Sequence, residues 1–476
     1  MELKVRIIKA YKNSPTPIKA TFWFTLCAFL QKAFSMVTVP IFTRLMTTEQ
    51  YGEFSVFNSV FGVLVIIATM KVDAVLATRG LSKFKERQNL YISNIQCIST
   101  VCAFFTLGIY IIFRKSINAA VELNTMEMLG MMGLIFVTPA FDIWSAKKRY
   151  EYSYKSIALL TIVYLLVNTI VSIIAVVTAT NKGEARIMAH CLVSFVIYGF
   201  LFFKNMRFFR YDSPMVKYAV MFNLPLIPQG LANHILNKSD VFMIQHYLGQ
   251  SQAGVYSLGY SIAMIVVILT TSVNNAFVPW LYKKLDNMEL KRTKEVFNCM
   301  VMIVYSGVIG VMLIAPEVVK LFAPPSYSDA VYIVAPAVAG IAFMFIYTFF
   351  VQIEMYYEKT VAIMLGSFCV AFLNILLNAL FIPKYGSVAA AYTTLVSYGC
   401  YAVVHFFLAY KLCKERVRIT EIYDIKRLIE LSVILIFMVI VSPAIYPILL
   451  IRVFLLAMII VFGGVMIKQY IGIIKT

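Results

Sequence analysis

Charge is scarce in this chain. Only 14% of its 476 residues are Asp, Glu, Lys or Arg, where soluble proteins carry about a quarter. Length alone would suggest about three soluble domains, and the missing charge argues against that reading. The eight cysteines (Cys27, Cys97, Cys102, Cys191, Cys299, Cys369, Cys400 and Cys413) form no CxxC pair, so neither a zinc site nor a disulfide framework is indicated. A GxxxxGK[ST] phosphate cradle is absent, and with it the signature of ATP hydrolysis. HExxH and GxSxG are missing too, which removes the commonest metallohydrolase and serine-hydrolase signatures. An enzyme is not expected, and no cofactor is called for.

What the chain has is apolar length. Hydrophobic residues make up 61% of it, with a mean hydropathy of +0.82. A helix needs about 20 apolar residues to cross a ~30 Å hydrocarbon layer. Fourteen such runs can be read, at roughly 20–41, 53–76, 90–113, 127–146, 157–180, 186–204, 218–246, 253–280, 296–316, 330–352, 360–382, 387–410, 428–446 and 450–470. Helices are expected because lipid leaves no partner for an unpaired amide. The ten-residue alternation of a membrane β-barrel is not seen. The basic start, MELKVRIIKAYKNSPTPIK, precedes a run too long for a signal peptide and reads as an uncleaved first span. The expected fold is an all-α integral membrane protein with about 14 transmembrane helices.

The connections are short and their charge is lopsided. Lys and Arg number 31 on the N-terminus and every second connection, against 8 on the opposite side. The positive-inside rule puts the 31 in the cytoplasm, with both termini. The formal charge of +19 is therefore a topology signal rather than a nucleic-acid footprint.

An internal repeat organises the spans. TTEQYGEFS (47–55) recurs as GQSQAGVYS (249–257), and GEARIMAHCLVSF (183–195) as GSVAAAYTTLVSY (386–398). The two pairs share nearly one offset, which covers six helices. An even number gives a parallel repeat about an axis near the membrane normal. This predicts an N-terminal lobe over 1–205, a cytoplasmic linker at 206–217, a C-terminal lobe over 218–412, and two appended spans in 413–476.

A charge at the bilayer centre costs about 2.5–3.5 kcal/mol on insertion scales, so each one there calls for a reason. Lys32, Lys71 and Lys238 fall inside predicted spans. The seventh span carries Pro225, Pro228 and Gly230, a predicted break and hinge. Beyond it Asn233, Asn237 and Asp240 form one helical stripe, with His234 and Lys238 on the next. A broken helix bearing polar groups suits a water-filled transport cavity, whereas such groups also serve as interhelical glue. Arg44 and Arg79 lie near span ends, where surface anchoring is the simpler role. His190 and His405 read as helix-packing histidines. Asp240 is the candidate for ion coupling, to H+ or Na+.

These segments resemble a known family. FTRLMTTEQYGEFSVFNSV (42–60), LNKSDVFMIQHYLGQSQAGVYSLGY (236–260) and IPKYGSVAAAYTTLVSY (382–398) are similar to signature turns of the Wzx-type O-antigen and capsule flippases. These belong to the multidrug/oligosaccharidyl-lipid/polysaccharide exporter superfamily, and the likeness runs over about residues 15–410. It implies a MATE-like, V-shaped pair of six-helix lobes that moves undecaprenyl-diphosphate-linked oligosaccharide to the periplasmic leaflet of a bacterial inner membrane. By analogy Lys32, Lys71 and Lys238 would line a cationic cavity. The implied partners are that lipid-linked substrate, membrane lipids, and a polysaccharide polymerase with its chain-length regulator. A cation-coupled drug antiporter and a lipid II flippase are the alternatives on the same fold; a polytopic sugar polymerase or acyltransferase would need larger outer loops. The two appended spans leave O-antigen, capsule and exopolysaccharide branches open.

Overall fold

Each apolar run falls mainly on helix in the computed structural model, which describes residues 16–224, 226–290, 293–357, 359–414 and 422–475; no strand occurs among them. Among the described residues, eleven helical stretches are long and apolar enough to cross a membrane. The described residues of the remaining predicted runs, 20–41, 218–246 and 450–470, also fall mainly on helices. The chain divides into two compact units, 1–234 and 235–476.

The first unit contains α1 (Thr16–Leu45), α2 (Thr48–Ala68), α3 (Ala74–Lys83), α4 (Gln88–Val121), α5 (Thr125–Tyr150), α6 (Tyr154–Thr178), α7 (Lys182–Met206), α8 (Ser213–Asn223) and the start of α9 (Leu226–Leu248). Caps mark several starts. Thr47 and Gln50 form a reciprocal capping box on α2, and Asn124 with Glu127 repeats it on α5. Each satisfies amides that the helix leaves unpaired at its N-terminus. Phe57 of α2, Tyr110 of α4, Met128 and Met131 of α5, and Ile187 of α7 bury one core. A second joins α3, α4, α5 and α8 through Leu76, Tyr91, Ile143 and Met215.

The expected linker at 206–217 is tied down within this unit. Asp212 pairs with Arg87 at 3.0 Å. The Asn94 side chain donates to the Arg210 carbonyl at 2.9 Å and accepts from the Asp212 amide at 3.0 Å. Thus α8, at the start of the predicted seventh span, packs on α3 and α4.

The second unit holds the rest of α9, then α10 (Gln250–Ala263), α11 (Ile265–Asp286), α12 (Thr293–Leu313), the short α13 (Ala315–Phe322), α14 (Val331–Tyr356), α15 (Thr360–Tyr385), α16 (Ser387–Lys414), α17 (Ile425–Ile445) and α18 (Leu449–Lys475). Its centre is the pairing of α14 with α16. Phe349 of α14 meets Phe277, Phe297 and Phe345 edge-on, with ring centroids 4.7–4.9 Å apart, a preferred aromatic geometry. The helices α17 and α18 both pack on α12. Arg452 of α18 donates to the Leu313 carbonyl at 3.0 Å and to Glu317 of α13 at 2.5 Å.

The sequence repeat has a structural counterpart inside each unit. In the first, Gly183 lies against Gln50 and Glu53, so that a Cβ there would strike the Glu53 carboxylate. In the second, Ser387 donates to Gln252 at 2.8 Å. Gly386 takes φ +78 just before it, a left-handed geometry that suits glycine.

Candidate functional site

The first polar cluster grows from the end of α2. The expected span 53–76 stops at Ala68. Met70 and Lys71 follow with φ of 52 each, and Asp73 then caps α3 by accepting from the Val75 and Leu76 amides. Lys71 therefore lies in a turn, not within a span as the sequence suggested. Two consecutive left-handed non-glycine residues carry strain on the order of 1–2 kcal/mol each. Asn223, only 2% exposed, holds the turn by donating to the Met70 and Lys71 carbonyls, each at 2.9 Å.

Lys71 reaches the ninth helix from this turn. Its Cδ and Cε lie 3.2 and 3.1 Å from where a Cβ on Gly230 would stand, so glycine leaves room for the lysine stem. One turn on, the His234 ring covers Gly62 of α2, where a Cβ would collide with it. Lys71 thus lies at Gly230, and His234 lies one turn further along the same helix.

Pro225 lies outside the described residues, as do the side chains of Asn233 and Asn237. The eighth helix ends at Asn223, and α9 is described from Leu226. Pro228 then falls in the first turn of α9, where its missing N–H costs little, and Gly230 is helical. Arg44, exposed at the end of α1, donates to the Pro40 carbonyl at 3.0 Å. Arg79 is exposed on α3 and Lys32 is partly buried on α1. Another cation, Arg186 of α7, is 8% exposed and stacks its guanidinium 3.8 and 3.7 Å from the Phe42 and Phe54 rings. Its position after the GE of the repeat was the only hint of it.

The second cluster surrounds Asp240 in the other unit. Its carboxylate, 1% exposed, accepts from Tyr256 Oη at 2.6 Å, Asn378 Nδ2 at 2.7 Å and Thr394 Oγ1 at 2.7 Å. Thr393 donates to Asn378, and Asn374 bonds Asn378 and Thr394 at 3.3 and 3.2 Å. Three donors lower the penalty of burying a carboxylate. No ion pair to Asp240 occurs among the described residues. Lys238 is instead exposed, with its ammonium 6.0 Å from the Tyr260 ring. Asn374 and Asn378 are spaced by four on α15, a polar stripe legible in the sequence.

A third buried pair lies on α14 and α16. His405 Nδ1 meets Glu354 Oε1 at 2.6 Å, both side chains fully buried. His405 reads from the sequence as a packing residue; its carboxylate partner was not anticipated. No group of three or more potential metal ligands occurs among the described residues.

Long apolar helices in two units, each with a polar cluster, define a polytopic membrane protein. The solved structure of the lipid II flippase MurJ in an inward closed conformation covers 94% of this chain and 98% of its own, with TM-score 0.74 and 12% identity. An inward-facing MATE-family transporter of the MOP superfamily covers 81% of this chain and 96% of its own, with TM-score 0.60 and 14% identity. At such identities the likeness is one of fold. Residues 18–284, more than half of the chain, match the polysaccharide biosynthesis protein family, and the chain belongs to it. An Lsg locus protein of Haemophilus influenzae is 22% identical over 271 residues, 54% of this chain and 64% of the relative. An uncharacterized membrane protein of the same organism is 22% identical over 71% of this chain and 83% of its own length. This chain thus matches a little under two thirds of the first relative's length.

Proposed function

We propose that the protein is a flippase for undecaprenyl-diphosphate-linked oligosaccharide, an O-antigen or capsule repeat unit. It moves its substrate from the cytoplasmic to the periplasmic leaflet by alternating access between its two lobes. Membership of the polysaccharide biosynthesis family carries this reading. The first-unit cluster supports it, since Lys71, held beside Gly230, offers a point charge suited to a diphosphate. Lys32 and Lys238 extend the same role. Asp240 is the coupling group: a buried carboxylate ringed by rotatable hydroxyls and amides can exchange those hydrogen bonds for a proton or a sodium ion. One charge moving across 100 mV supplies ~2.3 kcal/mol. Both termini are cytoplasmic in this reading, and the membrane is the bacterial inner membrane.

The test is flipping of a fluorescent polyprenyl-diphosphate oligosaccharide in proteoliposomes under an imposed H+ or Na+ gradient. Gradient-dependent transfer that falls at least tenfold in Lys71→Ala is expected. Transfer of lipid II or of a cationic drug, with none of the oligosaccharide lipid, would overturn the substrate class.

A further inference from the structure

A cleft of about 160 Å³ opens at the basic end of the first unit, lined by Asn89 and Ile92 of α4, Trp144, Lys147 and Lys148 of α5, Lys204 and Asn205 of α7, and Phe208. It is remote in sequence from the residues assigned to substrate. Three ammoniums converge there against one carboxylate, Glu151, which takes Lys148 at 2.7 Å and Lys147 at 3.6 Å. Lys147 also donates to Asn89 Oδ1 at 2.6 Å. Lys204 is exposed and makes no ion pair among the described residues. The wall carries a second signal. Trp144 is 7% exposed, and its indole N–H is buried without an acceptor, although buried indole N–H groups ordinarily find one. Excess cationic donors beside an unsatisfied N–H call for an anionic oxygen.

We infer that this cleft binds the phosphate of an anionic phospholipid headgroup. The rim favours a lipid over free phosphate: Phe203 and Phe208 are 74% and 54% exposed beside Lys204, and the Arg207 guanidinium lies 5.6 Å from the Phe208 ring. Exposed aromatics interleaved with basic residues mark the headgroup level of a bilayer. Basic pockets between membrane helices are suited to acidic lipid headgroups. The acyl chains would run along the phenylalanines while the phosphate takes Lys148, Lys204 and the Trp144 N–H.

The chain has three tryptophans, so Trp23→Phe with Trp280→Phe leaves Trp144 as the only indole reporter. The full-length protein, stripped of lipid in neutral detergent, is titrated with short-chain phosphatidylglycerol, short-chain phosphatidylcholine and inorganic phosphate. Phosphatidylglycerol alone should shift Trp144 emission saturably and raise the unfolding temperature. Each of Lys148→Gln and Lys204→Gln should weaken it about fivefold, and the pair about 25-fold, on the scale of one surface ammonium per lipid charge. Trp144→Phe in the otherwise unaltered chain should reduce the thermal gain. A silent Trp144, or unchanged phosphatidylglycerol affinity in the double lysine variant, overturns the site. A response to inorganic phosphate equal to that to phosphatidylglycerol overturns the lipid assignment in favour of a free anion, and an equal response to phosphatidylcholine shows that net headgroup charge is not recognised.

Discussion

Replacing Asn223 by alanine isolates what holds the turn between α2 and α3. The wild-type amide makes two bonds of 2.9 Å to the Met70 and Lys71 carbonyls. A typical hydrogen bond contributes about 1 kcal/mol net, and a buried acceptor left unpaired costs about 1–3 kcal/mol. Asn223 is buried, so at least one carbonyl loses its partner without gaining water. The expected loss is about 2–4 kcal/mol. For a unit of roughly 200 residues one kcal/mol moves the midpoint by about 2–4 °C, which predicts a fall of about 5–15 °C in detergent. Asn223→Asp should be worse, because it sets a carboxylate against two carbonyl oxygens. The strained residues at 70 and 71 should then relax, Lys71 should leave Gly230, and flipping should fall with stability. An Asn223→Ala protein that unfolds within 1 °C of the parent would refute the claim that this amide holds the turn.

Gly62→Ala should destabilise by about 1–3 kcal/mol, as overpacking does, because its Cβ meets the His234 ring. His234→Ala should relieve most of that loss in thermal unfolding, and an unrelieved loss would mean that the ring does not cover Gly62. Asp240→Asn should abolish gradient-driven flipping at normal membrane abundance, whereas Thr394→Val, which removes one of three donors, should only slow it; full coupling in Asp240→Asn would remove this residue from the ion path. On α13, the hydrogen bond from Arg452 holds the Glu317 carboxyl below its ordinary value of 4.5. That stabilisation is full above the ordinary value and is lost as pH falls through the lowered one. The difference in unfolding temperature between parent and Glu317→Gln should therefore be constant above about pH 5.5 and vanish in acid. It should also be small, since the Glu317 side chain is half exposed. A difference that grows on acidification would contradict the sign.

The paired turn motifs show how far the sequence reached. Their common offset pointed to a repeat, and in each unit the two matched segments lie against one another, Gly183 on Gln50 and Glu53, Ser387 on Gln252. Tight approach needs a small residue and a polar partner, which a sequence records as Gly, Ser and Gln at fixed spacing. Apolar length determined the helices for a similar reason: a run that must cross lipid leaves its signature whatever its neighbours.

Which helices become neighbours is a different matter, and it decided the sites. Lys71 read as a span lysine until two left-handed residues placed it in a turn held by Asn223, 152 positions away. Asp240 read as a candidate for ion coupling, but nothing in its own segment named the hydroxyls and the amide from α10, α15 and α16 that surround it. Glu354 and His405 stand 51 residues apart and meet because α14 and α16 pack closely. Composition and periodicity are properties of one segment at a time, so the sequence by itself determined the class, the helices and the internal repeat. A polar side chain's partner in a low-dielectric interior is set by packing between segments, and only the tertiary structure decided it.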